Sequence, residues 1–316
     1  MGVLVVRGLS VLGAASLAVS MGVSLPAQQP PAAPPPLVKE NATVQVSEHV
    51  FVIPDDSVPA VPNVGIIVGS TATMVVDTGL GPRNAQAVLR EVAKVSRNTN
   101  FYLVTTHFHP EHAAGSSAMP PGTTFVLARA QQKDLDELGM TSVATFASRT
   151  PMMGELLKDV QFRKPDTLFD HELTIDLGGV RVRLLALGAT HTRGDTVAFV
   201  EGERVLFAGD IVMNRAFLAF GQYSNGQTWM SILDQLGSLN PSIIVPSHGP
   251  RGDGALIGEQ RDVLAQLQAR GRALREAGRP VDQAVSALTA EFQAMYPTWV
   301  GPARLAGAIR AFYGEM

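Results

Sequence analysis

The sequence contains no cysteine and little net charge. Without thiols the chain cannot form disulfide bonds, hold zinc through cysteine, use a thiol nucleophile or carry a lipoprotein acyl group. The 25 Lys and Arg residues against 28 Asp and Glu residues give a formal net charge of −3. Nucleic-acid binding requires a basic surface, so we expect no nucleic-acid partner. A length of 316 residues with 46% hydrophobic content predicts a globular protein of one large or two small domains.

Charged residues are almost absent from the N-terminus, where Arg7 is the only one before Lys39. An apolar and small-residue run occupies residues 9–25, and the small residue Ala27 follows. This pattern predicts a cleaved signal peptide over residues 1–27, with an uncleaved membrane anchor as the alternative. We expect a periplasmic or secreted protein without stable membrane insertion after cleavage.

A proline-rich tract follows this segment. Residues 28–38 are predicted to form a stiff linker, because proline removes backbone donors and favours extended conformations. The folded domain is therefore predicted to span residues 39–316, with C-terminal helices from about residue 258.

Short β-branched and apolar runs alternate with helical patterns along the domain. Strands are predicted at residues 43–46, 50–53, 64–68, 74–76, 102–105, 124–128, 168–175, 180–187, 196–200, 204–207 and 243–246. Helices are predicted at residues 83–96, 131–138, 228–239 and from 258 onward. Two strand-rich halves, each followed by helices, indicate an α/β protein with a sheet-on-sheet core flanked by helices. The segment 130–165 is interpreted either as surface helices or as a lid over a site.

The densest cluster of polar side chains lies in residues 105–112, directly after the apolar run 101–104. The end of a buried strand is where α/β folds usually place their chemistry. His107 and His109 lie two residues apart, so on an extended segment they point the same way and can chelate one metal ion. Glu111 and His112 follow, and a tight turn can direct them to a second metal position.

Three further candidates, His191, Asp210 and His248, each follow an apolar run. Five of the seven histidines of the chain therefore occupy predicted strand-end loops; only His49 and His171 do not. Histidines that merely fill a core would be scattered. The distribution predicts a metal site.

These motifs resemble those of the metallo-β-lactamase superfamily of binuclear metallohydrolases. They are His-x-His-x-Glu-His, Gly-x-x-His-x-x-Gly-Asp, Phe-Ala-Gly-Asp and Pro-Ser-His-Gly, in that order. The match runs from about residue 41 to residue 248 and includes Asp77 before the first predicted helix. The resemblance implies an αββα four-layer sandwich, here with a helical C-terminal region.

The resemblance also implies roles for the candidates. Asp77 would orient the histidine-rich loop, as metal-bound imidazoles commonly require. The metals would be two Zn²⁺ ions, with Fe or Mn compatible with the same ligands, and a hydroxide bridging them would be the nucleophile. Tyr223 either donates a hydrogen bond to a developing oxyanion or packs at the pocket rim. The implied ligands are His107, His109 and His191 for the first metal, Glu111, His112 and His248 for the second, and Asp210 bridging both.

One position departs from the family pattern, because the family usually has Asp where this chain has Glu111. The extra methylene moves the carboxylate by about 1.5 Å, and metal–oxygen distances of about 2.0–2.2 Å tolerate little of that. Either the loop backbone compensates, or the second metal binds more weakly and the catalytic role of Glu111 changes. A degenerate, non-catalytic site is the alternative.

The predicted function is an exported metal-dependent hydrolase that cleaves an acyl bond of a small molecule, namely a lactone, thioester, ester or lactam. A bridging Asp210 resembles thioester hydrolases and lactonases, whereas export is typical of β-lactam hydrolases, so the two observations favour different substrates. The alternatives are a β-lactamase in the strict sense, an iron-dependent redox protein, and a non-catalytic metal-binding protein.

Overall fold

The structure is a computed structural model that describes residues 1–4 and 34–314. Residues 5–27 of the predicted signal peptide and residues 28–33 of the predicted linker fall outside these residues. The last linker residues belong to the compact unit that begins at Pro34. The backbone amides of Leu37 and Val38 both donate to the side chain of Asn84, and Val38 is 3% exposed. The packed domain therefore begins before the predicted boundary at Lys39.

The described chain contains twelve strands in two sheets. The first sheet has the order β1-β2-β3-β4-β5-β6-β7, and the second has the order β12-β11-β10-β9-β8. The strands are β1 (Val44–Gln45), β2 (Val50–Ile53), β3 (Val64–Val68), β4 (Thr73–Val76), β5 (Phe101–Val104), β6 (Thr124–Ala128), β7 (Thr167–Phe169), β8 (Glu172–Asp176), β9 (Arg181–Gly188), β10 (Asp195–Val200), β11 (Val205–Gly209) and β12 (Ile243–Pro246).

Strand direction decides which ends of the strands meet. In the first sheet β1 to β4 are antiparallel and β4 to β7 are parallel. In the second sheet β8, β9, β10 and β11 are successively antiparallel, and β11 and β12 are parallel. Consequently β9, β11 and β12 all run in one direction, and their carboxyl ends lie at one edge.

The prediction of one continuous strand over residues 168–175 is wrong. The run divides at Asp170 and His171 into β7, which belongs to the first sheet, and β8, which belongs to the second. The backbone carbonyl of His171 accepts a hydrogen bond from the amide of Ala186, 2.8 Å away, and so starts the pairing of β8 with β9. A run of apolar residues does not reveal that the chain changes sheets within it.

The nine α-helices of the described residues cover the outer faces of the two sheets. They are α1 (Pro82–Val95), α2 (Pro110–Ala113), α3 (Arg129–Asp134), α4 (Met140–Ala147), α5 (Pro151–Leu156), α6 (Gly226–Ser238), α7 (Ala255–Glu276), α8 (Val281–Met295) and α9 (Leu305–Gly314). A π-helical turn (Leu135–Gly139) joins α3 to α4, and a 3-10 turn (Pro302–Arg304) precedes α9. None of the described helices is long and apolar enough to cross a membrane.

Alternation along the strands produces the layers, because successive side chains of a strand point to opposite faces. Val76 and Val104 pack between the two sheets, whereas Val75 and Leu103 pack against α1 on the outer face. In the second sheet Phe207 faces the first sheet, and its neighbours in β11 face α6 to α9. Both sheets are thus buried on both faces, and the predicted αββα sandwich with a helical C-terminal region is confirmed.

Candidate metal centre

Loops from both sheets converge at one edge of the sandwich. Asp77 follows β4, and the histidine-rich loop follows β5, its parallel neighbour. The loops after β9, β11 and β12 approach from the second sheet. The backbone amide of Thr196 donates to the carbonyl of Thr106, 2.7 Å away, and this bond joins the two sets of loops. The structure thereby brings together all seven predicted ligands: His107, His109, Glu111, His112, His191, Asp210 and His248.

The first ligand group consists of His107, His109 and His191. Nδ1 of His109 lies 3.0 Å from Nε2 of His107 and 3.2 Å from Nε2 of His191. Ligand atoms of one tetrahedral zinc ion, each about 2.05 Å from the metal, lie about 3.3 Å from one another. The spacing of the three imidazole nitrogens therefore fits a single metal ion.

The second ligand group consists of Glu111, His112 and His248, whose ligand atoms all lie within 4.8 Å of one another. Asp210 lies between the two groups. Its Oδ2 is 3.5 Å from Nε2 of His191, and its Oδ1 is 3.9 Å from Nε2 of His248. One carboxylate therefore faces both ligand groups, the arrangement predicted for a bridging ligand.

Three buried polar atoms of this centre have no hydrogen-bond partner among the described residues: Oε2 of Glu111, Nε2 of His112 and Oδ1 of Asp210. Buried polar atoms are nearly always hydrogen-bonded, because an unpaired one costs about 1–3 kcal/mol. The three atoms belong to the residues predicted to hold the second metal, and nitrogen and carboxylate oxygen are ligands that zinc accepts. The donor set fits a metal ion. Glu111, with its longer side chain, also reaches into the centre, since its Oε1 lies 3.9 Å from Nε2 of His112.

Asp77 is the main support of the histidine-rich loop. Its carboxylate is 1% exposed and accepts hydrogen bonds from the amide (2.7 Å) and the hydroxyl (3.0 Å) of Thr106. Its Oδ2 also lies 2.8 Å from Nδ1 of His112. A proton held on Nδ1 leaves the lone pair of Nε2 directed into the centre. Asp77 has a left-handed backbone, with φ of 67°, as aspartate tolerates better than most residues.

Backbone carbonyls orient two further imidazoles. Nδ1 of His191 donates to the carbonyl of Ala219, 2.7 Å away, and Nδ1 of His248 donates to the carbonyl of Val61, 2.9 Å away. In both rings Nε2 is left free to face Asp210. Such contacts fix the tautomer of a metal-binding histidine and its ring orientation.

Burial and neighbouring charges set the protonation of the centre. Burial, followed by the neighbouring imidazoles, holds the pKa values of His107 and His109 well below the usual value. Burial raises the pKa of Glu111. Burial alone would raise the pKa of Asp210, but the surrounding imidazoles, His248 and His191 first, lower it overall. The neutral imidazoles of His107 and His109 and the ionised carboxylate of Asp210 are in the protonation states that metal binding requires.

The carboxylate of Asp195 holds the loop that carries His191, a role that no signal in the sequence beyond the Gly-Asp motif indicates. It accepts hydrogen bonds from the amides of His191 (2.5 Å) and Thr192 (2.8 Å). The hydroxyls of Thr190 and Thr192 donate to it as well. Burial raises the pKa of Asp195.

Asn63 and Asp55 hold the loop that carries His248, and sequence reasoning missed both. The side-chain amide of Asn63 donates to the carbonyls of Pro246 (2.9 Å) and Gly249 (2.8 Å), and its oxygen accepts from the amide of Asp55 (2.8 Å). The carboxylate of Asp55 accepts from the amide of Gly249, 2.8 Å away. No local pattern marks these residues, because their partners lie more than 180 positions later in the sequence.

The metal centre opens into a cavity of about 1020 Å³. The helical segment around α4 and the loop after β11 line it. Tyr223 lines the cavity too, and its ring lies 4.3 Å from the guanidinium carbon of Arg193. Two further walls were not expected from the sequence: residues 55–60 and the C-terminal residues Thr298, Val300 and Arg304.

Comparison with known proteins agrees with the fold and the centre. The sequence model of the metallo-beta-lactamase superfamily matches residues 58–248. The chain is 26% identical over 136 residues to a metallo-beta-lactamase type 2 of Bacteroides fragilis, covering 42% of this chain and 54% of that protein. It is 23% identical over 207 residues to a linear primary-alkylsulfatase of Pseudomonas sp., covering 56% of this chain and 39% of that enzyme.

A solved structure extends the likeness to the helical C-terminal region. A double mutant of a sec-alkyl sulfatase from Pseudomonas sp. superposes with a TM-score of 0.69 at 15% identity, covering 87% of this chain and 50% of that one. The chain thus spans about half the length of that sulfatase and of the Bacteroides fragilis relative. At this identity the superposition concerns the fold alone. The sequence model of the metallo-beta-lactamase superfamily covers residues 58–248, more than half of the chain, so this chain belongs to that superfamily.

Proposed function

We propose that the protein is an exported hydrolase that uses two zinc ions to cleave an acyl bond of a small molecule. The observation that carries this proposal is the convergence of seven ligand side chains, three of which have buried atoms without a hydrogen-bond partner. Metal ions held by these residues would supply a nucleophile derived from water at neutral pH and would polarise the bond to be cleaved. Export is proposed from the N-terminal sequence, and a small-molecule substrate from the size of the cavity.

The protein's own residues have distinct parts in this proposal. Asp77 fixes His112, and Asp195 fixes the loop of His191, so that the ligands are positioned before substrate binds. Asp210 faces both ligand groups and would serve, in its ionised form, as a ligand shared between them. Tyr223 lines the cavity, and its hydroxyl would donate a hydrogen bond to the developing oxyanion.

Metal analysis is the first test of this proposal. Purified protein reconstituted with Zn²⁺ should hold close to two ions per chain, and His109→Ala should hold fewer. A wild-type stoichiometry below one ion, with Zn, Fe and Mn each tried, would refute the metal centre.

A substrate panel is the second test. Lactones, thioesters, esters, phosphoesters and a chromogenic cephalosporin are assayed with the zinc-loaded protein and with His109→Ala. Hydrolysis of at least one acyl substrate by the wild type alone is the expected result. Hydrolysis of none of them would refute the proposed reaction even if the metals bind.

Sulfate-ester hydrolysis is the second candidate function, because a primary-alkylsulfatase is among the sequence relatives. A linear alkyl sulfate added to the panel tests it. Release of inorganic sulfate without turnover of any acyl substrate would replace the proposed function with this one.

A further inference from the structure

The arginines near the cavity fall into two kinds. Arg193 is fully engaged: its guanidinium contacts the carboxylates of Asp134 and Glu137. Arg149 and Arg215 line the cavity, are exposed, and have no carboxylate of the described residues within ion-pair distance. A third lining arginine, Arg304, donates to the carbonyl of Phe217, 3.3 Å away. In a chain with a net charge of −3, the guanidinium groups of Arg149 and Arg215 are therefore a local positive charge without a carboxylate partner among the described residues.

Arg149 is held close to the metal centre. Its guanidinium carbon lies 3.5 Å from the ring centroid of Phe146, and that ring lies 6.1 Å from the imidazole of His109. These two distances place the guanidinium within about 10 Å of the His109 ring, and the cation–π contact holds it against Phe146.

The backbone around Arg149 is fixed as well. Its amide donates to the carbonyl of Phe146, 3.1 Å away, in the turn that ends α4. The hydroxyl of Thr150, the next residue, caps α5 by accepting from the amide of Met153. A guanidinium that lies flat on a ring keeps the N–H donors at its edge free, and this edge matches the two oxygens of a carboxylate or sulfate.

The charges around the cavity favour an anion. Of its acidic lining residues, Glu111 and Asp210 belong to the metal centre, and Asp55 is engaged by the amides of Ser57 and Gly249. The remaining lining charges, apart from the histidines, are arginines.

We infer that the substrate carries an anionic group, a carboxylate or a sulfate, within about 10 Å of the reacting bond, and that Arg149 binds it. This inference rests on the proposed function, since it describes the substrate of the same centre. Arg149 is on this account a specificity-determining residue. It raises the affinity for substrates with such a group and takes no part in bond cleavage.

Binding of simple acids tests the inference without turnover. Zinc-loaded protein is titrated calorimetrically with linear α,ω-dicarboxylates from succinate to suberate and with monocarboxylates of equal length. One carboxylate can occupy the metal centre, so the second reports on Arg149. At least one dicarboxylate should bind about tenfold more tightly than its monocarboxylate, and 1 M salt should reduce this gain because Arg149 is exposed. The ω-sulfonate of the best chain length distinguishes a sulfate-like group from a carboxylate.

Three variants locate the effect. Arg149→Met keeps an apolar side chain of similar length on Phe146 and should remove the dicarboxylate gain. Arg272→Met makes the same charge change at an exposed position of α7, away from the cavity, and should keep it. The inference is overturned if the wild type shows no gain, if Arg149→Met retains it, or if Arg215→Met alone removes it.

The acid titrations test the role of Arg149, and the substrate panel tests the proposed function, so their results can refute one claim without the other. Turnover of an acyl substrate without a dicarboxylate gain would refute this inference and leave the proposed function standing. A gain that depends on Arg149, without turnover of any substrate, would refute the proposed function alone. As a direct comparison of substrates, 4-nitrophenyl hydrogen glutarate should have a lower KM than 4-nitrophenyl pentanoate in the wild type, and the two values should converge in Arg149→Met.

Discussion

Replacing Asp77 by asparagine should weaken the second ligand group more than the first. The substitution keeps the size of the side chain and retains an acceptor for the amide of Thr106, now 2.7 Å from Oδ1. It removes the negative charge 2.8 Å from Nδ1 of His112, and the new amide group turns a donor toward that nitrogen. Without its acceptor, the Nδ1 proton of His112 either is left unpaired or moves to Nε2, where it blocks the lone pair that a metal requires.

The magnitude follows from the loss of that contact. Removing a partner that orients a metal-binding histidine typically costs about 10–100-fold in metal affinity. We expect a loss of this size for the second zinc ion and a change of less than about threefold for the first. In the first group, His107 is connected to Asp77 indirectly, through the hydroxyl of Thr106, which lies 3.2 Å from Nδ1 of His107 and 3.0 Å from Oδ2 of Asp77. The free energy of unfolding of the metal-free protein should fall by about 1–3 kcal/mol, because a buried charge-assisted hydrogen bond is lost.

Competition between the protein and a chromophoric zinc chelator measures the two dissociation constants separately. Asp176→Asn is the matched control, because Asp176 is an exposed aspartate that accepts from the amides of Gly178 and Gly179 in the β8–β9 turn. It should leave both constants unchanged. If Asp77→Asn weakens both ions equally, or neither, then Asp77 does not act through His112 and the reasoning is refuted.

Three other perturbations probe the supports of the centre. Asn63→Ala removes three side-chain hydrogen bonds, so the free energy of unfolding measured by urea denaturation should fall by about 2–3 kcal/mol. A loss below about 0.5 kcal/mol would contradict the role of Asn63 in supporting the loop of His248. Gly194→Ala places a Cβ 2.2 Å from Cα of Gln131, so it should lower the Tm and weaken binding of the first zinc ion. Gly258→Ala is the control, because its Cβ would have no atom within 4 Å, and it should change neither quantity. Equal Tm values for the two variants would show that the close approach of Gly194 to Gln131 is unimportant. The third perturbation is a change of pH in EDTA-treated protein. Burial alone would lower the pKa of His112, but Asp77 raises this pKa to about 9, above the unfolded value of 6.5. The contribution of His112 to the free energy of unfolding is therefore complete below pH 6.5 and is lost as the pH rises through 9. The lowered pKa values of His107 and His109 act in the opposite sense: their contribution to the free energy of unfolding is present above pH 6.5 and is lost as the pH falls below 6.5. Urea titrations at a series of pH values should therefore give maximal stability near pH 6.5. A free energy of unfolding that changes in one direction only across this pH range would contradict these assignments.

The predicted ligands could be found from the sequence because they lie in the segments that follow β5, β9, β11 and β12. His107, Asp210 and His248 come within three residues of the ends of β5, β11 and β12. Strands that run in one direction bring their carboxyl ends to one edge, so a local pattern was enough to place these side chains together. Their roles as metal ligands and the role of Tyr223 stay predictions.

What the sequence did not reveal depends on contacts between distant parts of the chain. Val300 pairs with the loop after β11: its amide donates to the carbonyl of Arg215, and its carbonyl accepts from the amide of Phe217. The ring of Trp299 packs 5.3 Å from that of Phe217 and secures the contact. The C-terminal segment thereby becomes a wall of the cavity, although nothing in its own composition indicates a binding site.

The contact of Asn63 with the loop of His248 has a consequence for how the protein is made. The second ligand group joins Glu111 and His112 to His248, and the loop of His248 is tied by hydrogen bonds to a residue 183 positions earlier. A nascent chain that ends before β12 lacks His248 and cannot complete the second ligand group. Contacts of such long sequence separation form late and slow the folding of a domain. Capture of the second metal ion should therefore coincide with the last step of folding, so that metal supply in the compartment where folding finishes would determine how much of the protein reaches its stable form.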